Sequence, residues 1–407
     1  MSEGSMSEPR TFTRRQILGG ALVAAAAGAA GYAAVSRPWQ AVRSGSASAV
    51  RRGEGILVLV TLYGGNDGLN TVIPAADPAY QRGRGALAFS PAEVHDLGDG
   101  LGFHPSLAAL ARRWKEGTLA VVRGVGYPQP NRSHFRSMDI WQSGVPDRQE
   151  VTGWIGRWLD TETPDPLRAL SLGPNLPRLL QGATTSGSAV PSMSANGATP
   201  FGGALARLDR PAPGEPALLA RVRQTGTDLL AVEAALAKAG PDASSPDRST
   251  GPLAQQLDVV AGAITAGLPT RVYAVSLGGF DTHAGEKATQ ARLLGEVDAA
   301  LDRFLTSVSA DARGRHAVVV VYTEFGRRVA ANASGGTDHG TAGPVLVLGE
   351  GVRGGFVGDE PSLTDLDDGD LVMTTDFRSV YATLLDRVLD VDPVTALGRP
   401  WPVLPFV

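Results

Sequence analysis

The stretch that decides the fold of this chain is His316–Gly349, which reads HAVVVVYTEFGRRVAANASGGTDHGTAGPVLVLG. It contains two short apolar runs, Ala317–Tyr322 and Pro344–Leu348, and both are rich in Val and Leu. Each run is bounded by turn residues, a pattern that is typical of a buried β-strand. The stretch therefore predicts two strands of a central sheet with a polar connection between them.

The polar connection carries the charged side chains of this stretch. Glu324 directly follows the first predicted strand, and Arg327 and Arg328 come soon after it. Asp338 and His339 lie in a turn rich in Gly and Thr before the second strand. Ligands of open α/β sheets collect beyond the carboxyl ends of the strands. Because neighbouring carboxylates repel each other unless a cation, a proton or an arginine compensates, this connection predicts a binding site.

The composition excludes several classes of protein. The chain has 407 residues, a hydrophobic share of 43% and a charged share of 19%, which are ordinary values for a globular protein. Its net charge of −4 indicates neither a nucleic-acid partner nor an anionic membrane surface. Because there are no cysteines, disulfides, thiolate zinc sites and a cysteine nucleophile are excluded. Any metal must be bound by carboxylate, imidazole, hydroxyl or water.

The N-terminal segment resembles a twin-arginine export signal. Arg14 and Arg15 precede the run Gly19–Val35, which is almost wholly Ala, Gly, Val and Leu. The alternative is a short Ala-rich helix after a chance arginine pair. Because the run has only about 17 weakly hydrophobic residues, cleavage is favoured over a permanent membrane span, and Ala47–Ala49 is one predicted cleavage site. We therefore predict a signal peptide and linker over residues 1–54, and a single domain over residues 55–407.

Strands and helices alternate along the predicted domain. Further strands are predicted at Ile56–Leu62, Leu119–Val122, Ala169–Leu172 and Thr270–Leu277, and helical spacing is found at Pro105–Lys115, Phe135–Gln142, Ala217–Ala237, Pro252–Ala266, Lys287–Ser307 and Phe377–Leu389. Alternation of this kind is typical of an α/β fold. We expect a mostly parallel central sheet with helices on both faces.

Two of these strands end in turns that carry acidic residues. Ile56–Leu62 runs into a Gly-Gly-Asn-Asp-Gly turn that contains Asp67. Thr270–Leu277 runs into Gly-Gly-Phe-Asp-Thr-His, which contains Asp281 and His283. Either turn can be a simple polar turn or helix cap without chemistry. An Asp and a His two residues apart can also face one ion, and Asp67 would lie on the same edge of the sheet as Glu324.

Ser133 is the candidate nucleophile. It lies close to the start of the predicted helix at Phe135–Gln142, and Arg132 and Arg136 flank it. Free backbone N–H groups at a helix start favour an anion and can activate a hydroxyl. The alternative is that Ser133 is only a helix N-cap, which is the more frequent role of such a serine.

The shared placement of these residues predicts a metal site. The predicted ligands are Asp67, Asp281, His283, Glu324, Asp338 and His339. Carboxylates and imidazoles without thiolates suit one or two divalent ions, with Zn²⁺, Mn²⁺, Mg²⁺ and Ca²⁺ left open. Two ions about 4 Å apart would suit displacement at phosphorus or a similar tetrahedral centre. Ser133 would then attack, and Arg132 or Arg327 would hold oxygens of the substrate.

The chain also resembles a known family. The stretches that carry the resemblance are the twin-arginine start, LYGGNDGLN (62–70), RSHFRSMDIWQ (132–142), GGFDTH (278–283), TEFGRR (323–328) and GGTDHGTAG (335–343). They are similar over nearly the whole mature chain to a bacterial family of exported proteins of unknown function, family 1501. That family looks like a distant branch of the alkaline phosphatase and sulfatase superfamily, whose order of motifs matches.

The resemblance implies an alkaline phosphatase-like fold and assigns roles by position. Asp67 matches the metal-binding acid after the first strand, and Ser133 matches the place of the nucleophile. Asp281 with His283, and later His339, match further metal ligands. The superfamily's Asp-His pair falls on Glu324 and Phe325, and a phenylalanine cannot bind a metal. Either Asp338 or His134 would have to replace that histidine. The context of Ser133 also differs from the nucleophile motif of the superfamily.

These observations lead to two alternative functions. The first is an exported, metal-dependent hydrolase that acts on a phosphate or sulfate ester outside the membrane. The second is a non-catalytic exported protein that keeps the fold and a reduced metal site and binds a component of the cell envelope. Both alternatives imply the twin-arginine export machinery as a partner, an extracellular or envelope location and no stable membrane span after processing. A weaker third alternative is an exported partner of another enzyme.

Overall fold

Seven consecutive buried residues, Ile56–Leu62, form the central strand β1. The structure, a computed structural model, describes residues 50–51, 53–190, 214–239 and 251–407. The predicted export signal and its cleavage site at Ala47–Ala49 lie outside the described residues. Among the described residues, no helix combines the length and the apolar character that a membrane crossing requires.

The other strands follow β1 in chain order: β2 (Val72–Ile73), β3 (His95–Gly98), β4 (Leu101–Phe103), β5 (Leu119–Gly126), β6 (Ala169–Leu172), β7 (Ser188–Val190), β8 (Val272–Leu277), β9 (Ala317–Tyr322), β10 (Arg327–Ala331), β11 (Thr337–His339), β12 (Gly343–Leu348), β13 (Gly355–Val357), β14 (Leu366–Asp367), β15 (Asp370–Leu371) and β16 (Thr375–Asp376).

The helices are α1 (Pro78–Arg84), α2 (Ala108–Glu116), α3 (His134–Ser143), α4 (Trp154–Leu159), α5 (Ala217–Lys238), α6 (Pro252–Thr265), α7 (Glu286–Ser309), α8 (Phe377–Leu384) and α9 (Pro393–Leu397). A π-helical turn, Leu385–Leu389, continues α8. Predicted and observed bounds of the long elements agree within a few residues. Strand β5 is longer than predicted, because it continues through Gly124 to Gly126.

The central sheet has the strand order β13-β5-β12-β9-β1-β8-β6-β7, and β16 also pairs with β5. Strand β1 is parallel to both of its neighbours, β8 and β9. Strand β12 is antiparallel to β9 and to β5. The prediction of a mostly parallel sheet is therefore confirmed, and β12 is its exception.

Side chains of the sheet alternate between two apolar layers, as the two-residue period of a strand requires. In β1, Val58 and Val60 pack into the layer that contains α2, α6 and α7. Leu57 and Leu59 face the opposite layer, which contains α3, α4 and α8. Helices therefore cover both faces, and strands that are buried on both faces need the continuous apolar runs seen in the sequence.

One part of the decisive stretch differs from its prediction. The connection between β9 and β12 is not a simple turn, because β10 and β11 form an antiparallel hairpin. Asp338 and His339 lie on β11 of this hairpin. Gly336 packs against the backbone of Thr282 and His283 so closely that a Cβ atom would clash. This close approach brings the hairpin next to the loop that follows β8.

Candidate metal centre

The carboxyl ends of β1, β8 and β9 lie at one edge of the sheet, because these three strands are parallel. Asp281 is in the loop after β8, and His134 is the first residue of α3. His339 ends β11. One ligand atom from each of these three side chains lies within 4.8 Å of the other two. The topology thus gathers two imidazoles and a carboxylate from distant parts of the chain.

His134 is oriented by a buried carboxylate. Its Nδ1 lies 2.7 Å from Oε1 of Glu324. Glu324 is 1% exposed and also accepts hydrogen bonds from the Gly64 N–H and the Thr323 hydroxyl. A carboxylate oxygen accepts this hydrogen bond, so in the neutral imidazole Nδ1 of His134 carries the proton and Nε2 has a free lone pair. That Nε2 is buried without a hydrogen-bond partner among the described residues, 3.4 Å from Oδ2 of Asp281.

Two further histidines are held in the same way. Nδ1 of His339 lies 2.8 Å from the carbonyl oxygen of Arg132, which can only accept a hydrogen bond. Nδ1 of His283 lies 3.2 Å from Oδ1 of Asp338, which also accepts from Asn332. The hydrogen bond from Asn332, followed by that from His283, lowers the pKa of Asp338. The Nε2 atoms of both histidines therefore carry lone pairs.

All three Nε2 atoms face Asp281. Those of His283 and His339 each lie 3.0 Å from its Oδ1 and 2.9 Å from each other. Burial alone would raise the pKa of Asp281, but the hydrogen bond from Arg327 and the positive charge of its guanidinium hold that pKa well below the usual value. Asp281 is consequently a carboxylate at neutral pH, and its side chain is still 48% exposed.

The cluster fits a divalent cation. Lone pairs and a carboxylate oxygen that face each other at these distances repel unless a proton or a metal ion lies between them. Histidine ligands of metals donate their second ring N–H to a carboxylate or a carbonyl, and the three imidazoles do this here. Asp281, His283 and His339 are the predicted ligands that the structure brings together.

Arg327 holds the side chain of Asp281 in place through a hydrogen bond. Its Nη2 lies 2.8 Å from Oδ1 of Asp281, and the guanidinium is fully buried. Its remaining hydrogen bonds go to the carbonyl oxygens of Gly64, Gly65, Phe280 and Thr337. Because the group is buried and bound in this way, Arg327 positions Asp281 and is not free to hold a substrate, contrary to its predicted role.

Asp67 does not join the cluster. It forms a two-point ion pair with Arg84, at 2.5 and 2.8 Å, and both side chains are fully buried. Its Oδ1 also caps the following turn through the N–H of Leu69. Asp67 was predicted to bind a metal, and in the structure it forms an internal ion pair instead. Arg84 is 17 residues from Asp67 in sequence, so no local motif reveals the pair.

Glu324 and Asp338 were also predicted as ligands, and the structure places them one step away from the centre. Each accepts a hydrogen bond from the Nδ1 of a histidine, as described above. Phe325 packs against His134 and His339, with ring centroids 4.9 and 4.7 Å away. The residue that cannot bind a metal therefore forms an apolar wall that holds two imidazoles in place.

Ser133 lies beside the cluster at the start of α3. It is exposed, its backbone N–H donates to Oδ1 of Asn131, and its hydroxyl makes no capping hydrogen bond to α3. The neighbouring Arg132 is engaged, because its guanidinium donates to Asp370 and Asp368. The side chain of Arg132 is nevertheless 39% exposed. Its carbonyl oxygen is the partner of His339, a role that sequence motifs do not reveal.

A cavity of about 540 Å³ adjoins the centre, and it shares Arg132 and Phe325 with it. Its other walls are the segment 126–131, residues 341–342, residues 367–368 and residues 370–373. The β14–β15 hairpin supplies Asp367 and Asp370 to these walls. An open space of this size beside the candidate centre is large enough to hold part of a small-molecule ligand.

The comparisons with known proteins agree with the predicted family. Residues 217–403 match the family described as "Protein of unknown function (DUF1501)", which confirms that prediction for this part of the chain. The matched part contains Asp281, His283, Asp338 and His339, whereas His134 and Ser133 precede it. No curated protein matches the sequence significantly.

The fold is similar to several solved structures. A protein in the alkaline phosphatase superfamily from Vibrio parahaemolyticus is 10% identical, with a TM-score of 0.42 over 87% of this chain and 72% of that one. The C-terminal periplasmic domain of EcEptC from Escherichia coli is 12% identical, with a TM-score of 0.38 over 88% of each chain. Thermus thermophilus alkaline phosphatase is 13% identical, with a TM-score of 0.33 over 71% of this chain and 63% of that one. At identities and TM-scores this low, the similarity carries no information about the activity of this chain.

Proposed function

We propose that this protein is a metal-dependent hydrolase that acts on a phosphate or sulfate ester. The observation that carries the proposal is the convergence of the Nε2 atoms of His134, His283 and His339 on the carboxylate of Asp281. A divalent cation held there would polarise an ester oxygen and stabilise the charge that develops on it. Because the Asp281 side chain is 48% exposed, a substrate can reach this centre from solvent.

Other residues of the chain would orient the ligands, supply the nucleophile and bind the substrate. Glu324 and Asp338 orient imidazoles, and Arg327 fixes Asp281. Ser133 presents a hydroxyl next to His134 at the start of a helix of ten residues, where free N–H groups stabilise negative charge. This placement supports Ser133 as the nucleophile. The adjoining cavity supports a binding place for the alcohol part of the ester.

The proposal includes export. The supporting observation is the sequence around Arg14 and Arg15, which resembles a twin-arginine signal. A protein exported by this route folds before transport, so the metal centre would assemble inside the cell. We propose the cell envelope or the extracellular space as the place of action, and the twin-arginine machinery as the transport partner.

A hydrolysis screen of the full chain tests the proposal. p-Nitrophenyl phosphate, bis-p-nitrophenyl phosphate and p-nitrophenyl sulfate would each be offered with Zn²⁺, Mn²⁺, Mg²⁺ or Ca²⁺. We expect turnover of at least one ester that a chelator abolishes and that Asp281→Asn lacks. If Asp281→Asn is as active as the parent protein, the activity does not belong to this centre and the proposal fails.

Ser133→Ala tests the nucleophile separately. We expect it to lower kcat at least about a hundredfold, since an enzyme that loses its nucleophile keeps only the remaining stabilisation of the transition state. Ser307→Ala, in an exposed position of α7, is the control and should keep full activity. Full activity of Ser133→Ala would assign the attack to water and leave the metal-dependent hydrolysis in place.

One observation favours the second candidate function, a non-catalytic envelope-binding protein. The two arginines predicted to hold the substrate, Arg132 and Arg327, are both bound to carboxylates, whereas an enzyme acting on an anionic ester usually keeps a cationic side chain for it. Absence of turnover across the whole screen, together with retained metal binding, would support this candidate.

A further inference from the structure

We infer that the centre holds one metal ion, bound by the imidazoles of His134, His283 and His339 and by Asp281, and that Arg327 takes the place of a second ion. The site therefore selects a zinc-like ion rather than Mg²⁺ or Ca²⁺. The inference deepens the proposed function, and its relevance to catalysis rests on that proposal. Metal binding itself can be measured without any substrate.

The protonation of the imidazoles supports nitrogen ligation. In each of the three, Nδ1 faces an atom that can only accept a hydrogen bond: Oε1 of Glu324, Oδ1 of Asp338 or the carbonyl oxygen of Arg132. Each neutral imidazole therefore presents the lone pair of its Nε2 towards Asp281, at 3.4 Å for His134 and at 3.0 Å for His283 and His339. Three imidazoles that are all arranged in this way give a donor set of three nitrogens and one oxygen.

The spacing of the donors supports one small ion. Four ligands about 2.0–2.1 Å from a tetrahedral Zn²⁺ are separated by about 3.3 Å. The Nε2 atoms of His283 and His339 are 2.9 Å apart, and each is 3.0 Å from Oδ1 of Asp281. The Nε2 atom of His134 is 3.4 Å from Oδ2. The shorter separations are about 0.3–0.4 Å below the tetrahedral value, so a zinc-sized ion needs only a small outward movement of these ligands. The preference over Mg²⁺ and Ca²⁺ comes from the nitrogen donors and not from the spacing.

Arg327 excludes a second ion from the other side of Asp281. Ions of a two-metal site lie about 3.5–4 Å apart and usually share a carboxylate. Here the guanidinium of Arg327 lies 2.8 Å from Oδ1 of Asp281. It also binds the carbonyl oxygens of Gly64, Gly65, Phe280 and Thr337. These are the oxygens that a hard second cation would need, and the guanidinium already supplies a permanent positive charge.

The chemistry of the donors sets the choice of metal. Imidazole nitrogens suit Zn²⁺, Co²⁺ and similar ions, whereas Mg²⁺ and Ca²⁺ prefer oxygen ligands. Phe325 stands where the family resemblance expects a histidine ligand, so this position supplies no donor atom. Its ring packs against two of the ligating imidazoles. Glu324 and Asp338 do not bind the ion directly, because each accepts a hydrogen bond from a ligating histidine.

Metal analysis of the full chain tests this inference. Samples would be dialysed separately against Zn²⁺, Mg²⁺ and Ca²⁺, and metal content would be measured by mass spectrometry. We expect one equivalent of Zn²⁺, and less than a tenth of an equivalent of Mg²⁺ or Ca²⁺. Two equivalents of Zn²⁺ would overturn the role of Arg327. Preference for Mg²⁺ or Ca²⁺, or no binding of any ion, would overturn the nitrogen site, and in the last case shared protons would hold the imidazoles together.

Substitution with Co²⁺ reports the ligands directly. Four-coordinate Co²⁺ absorbs visible light strongly, whereas six-coordinate Co²⁺ absorbs weakly, so we expect the strong spectrum. His134→Gln and His283→Gln should each weaken Co²⁺ binding at least a hundredfold and change the spectrum. His316→Gln removes a histidine that pairs with Glu54 instead, and it should change neither. A six-coordinate spectrum in the parent protein, or unchanged binding in both ligand variants, would overturn the assignment.

The outcomes separate this inference from the proposed function. One equivalent of four-coordinate metal without hydrolysis of any ester would keep the one-ion site and reject the hydrolase. Chelator-sensitive hydrolysis that requires Mg²⁺ or two equivalents of metal would keep the hydrolase and reject the one-ion site.

Discussion

Asp67 and Arg84 form a fully buried two-point ion pair that ties the loop after β1 to the end of α1. Removing one partner of such a pair leaves the other charge buried, which costs about 3–5 kcal/mol. We expect Arg84→Met to lower the free energy of unfolding by about this amount and to leave the metal stoichiometry unchanged. Urea denaturation and metal analysis of the same samples measure both quantities.

A more conservative variant and a surface pair serve as controls. Asp67→Asn keeps the shape of the carboxylate, so metal content can be measured even where Arg84→Met folds poorly. Arg303→Met breaks a pair with Asp258 in which the arginine is 50% exposed, and it should cost less than about 1 kcal/mol. Loss of the metal ion in Asp67→Asn would restore Asp67 to the ligand set.

Glu286 gives the fold a dependence on pH. It is fully buried, and burial, followed by the nearby Asp67 carboxylate, raises its pKa. The folded protein therefore keeps a proton on Glu286 that the unfolded chain releases above its ordinary pKa of about 4.3. The resulting stability is fully present below that ordinary value and is lost as the pH rises through the raised value.

We therefore expect the free energy of unfolding of Glu286→Gln to fall less steeply with rising pH than that of the parent protein. From about pH 4.3 upward, the group contributes a slope of at most about −1.4 kcal/mol per pH unit to the free energy of unfolding. Urea denaturation at several pH values compares the variant with the parent protein. Thr337→Val removes the hydroxyl that donates to Glu286 at 2.6 Å, and it should keep the slope. Parallel curves for Glu286→Gln and the parent would contradict the prediction.

Through His134, Glu324 should tune the affinity of the proposed metal site. A carboxylate that accepts the Nδ1–H of a ligating histidine fixes the ring and raises its basicity. Because Oε1 of Glu324 lies 2.7 Å from Nδ1 of His134, we expect Glu324→Gln to weaken binding of Zn²⁺ about 10- to 100-fold. Isothermal titration measures the affinity. Glu116→Gln, in an exposed position at the end of α2, is the control. Equal affinities of Glu324→Gln and the parent would show that this hydrogen bond does not tune the site.

The sequence predicts the fold well because its strongest signals are local. Continuous apolar runs such as Ile56–Leu62 and Ala317–Tyr322 predict strands buried on both faces, and both match the structure residue for residue. The hairpin of β10 and β11 escapes prediction, because its strands are short and mostly polar. Its position depends on the contact between Gly336 and the loop after β8, which no local pattern reveals.

The candidate site is predictable only in part, for the same reason. Strand ends point to Asp281 and Glu324, since both follow clear apolar runs. Which acid faces an ion depends on its partners: Glu324 meets His134, 190 residues away, and Asp67 meets Arg84. For His134 the sequence offers two signals: it directly follows Ser133 at the predicted helix start, and the family resemblance names it as one of two replacements for the histidine missing at Phe325.

The width of the cavity beside the centre should limit which substrates can bind. Val372 lines this cavity and is 48% exposed, so a larger side chain there would narrow the entrance without touching the metal ligands. We expect Val372→Trp to raise KM for a bulky p-nitrophenyl ester about tenfold, which corresponds to about 1.4 kcal/mol. Metal content and kcat should stay as in the parent protein. Val403→Trp, at a position that is 40% exposed and outside the cavity lining, should leave KM unchanged. A KM that is unaffected in Val372→Trp would mean that the alcohol part of the ester lies elsewhere, because an occupied cavity cannot accept an indole ring without losing contacts to its ligand.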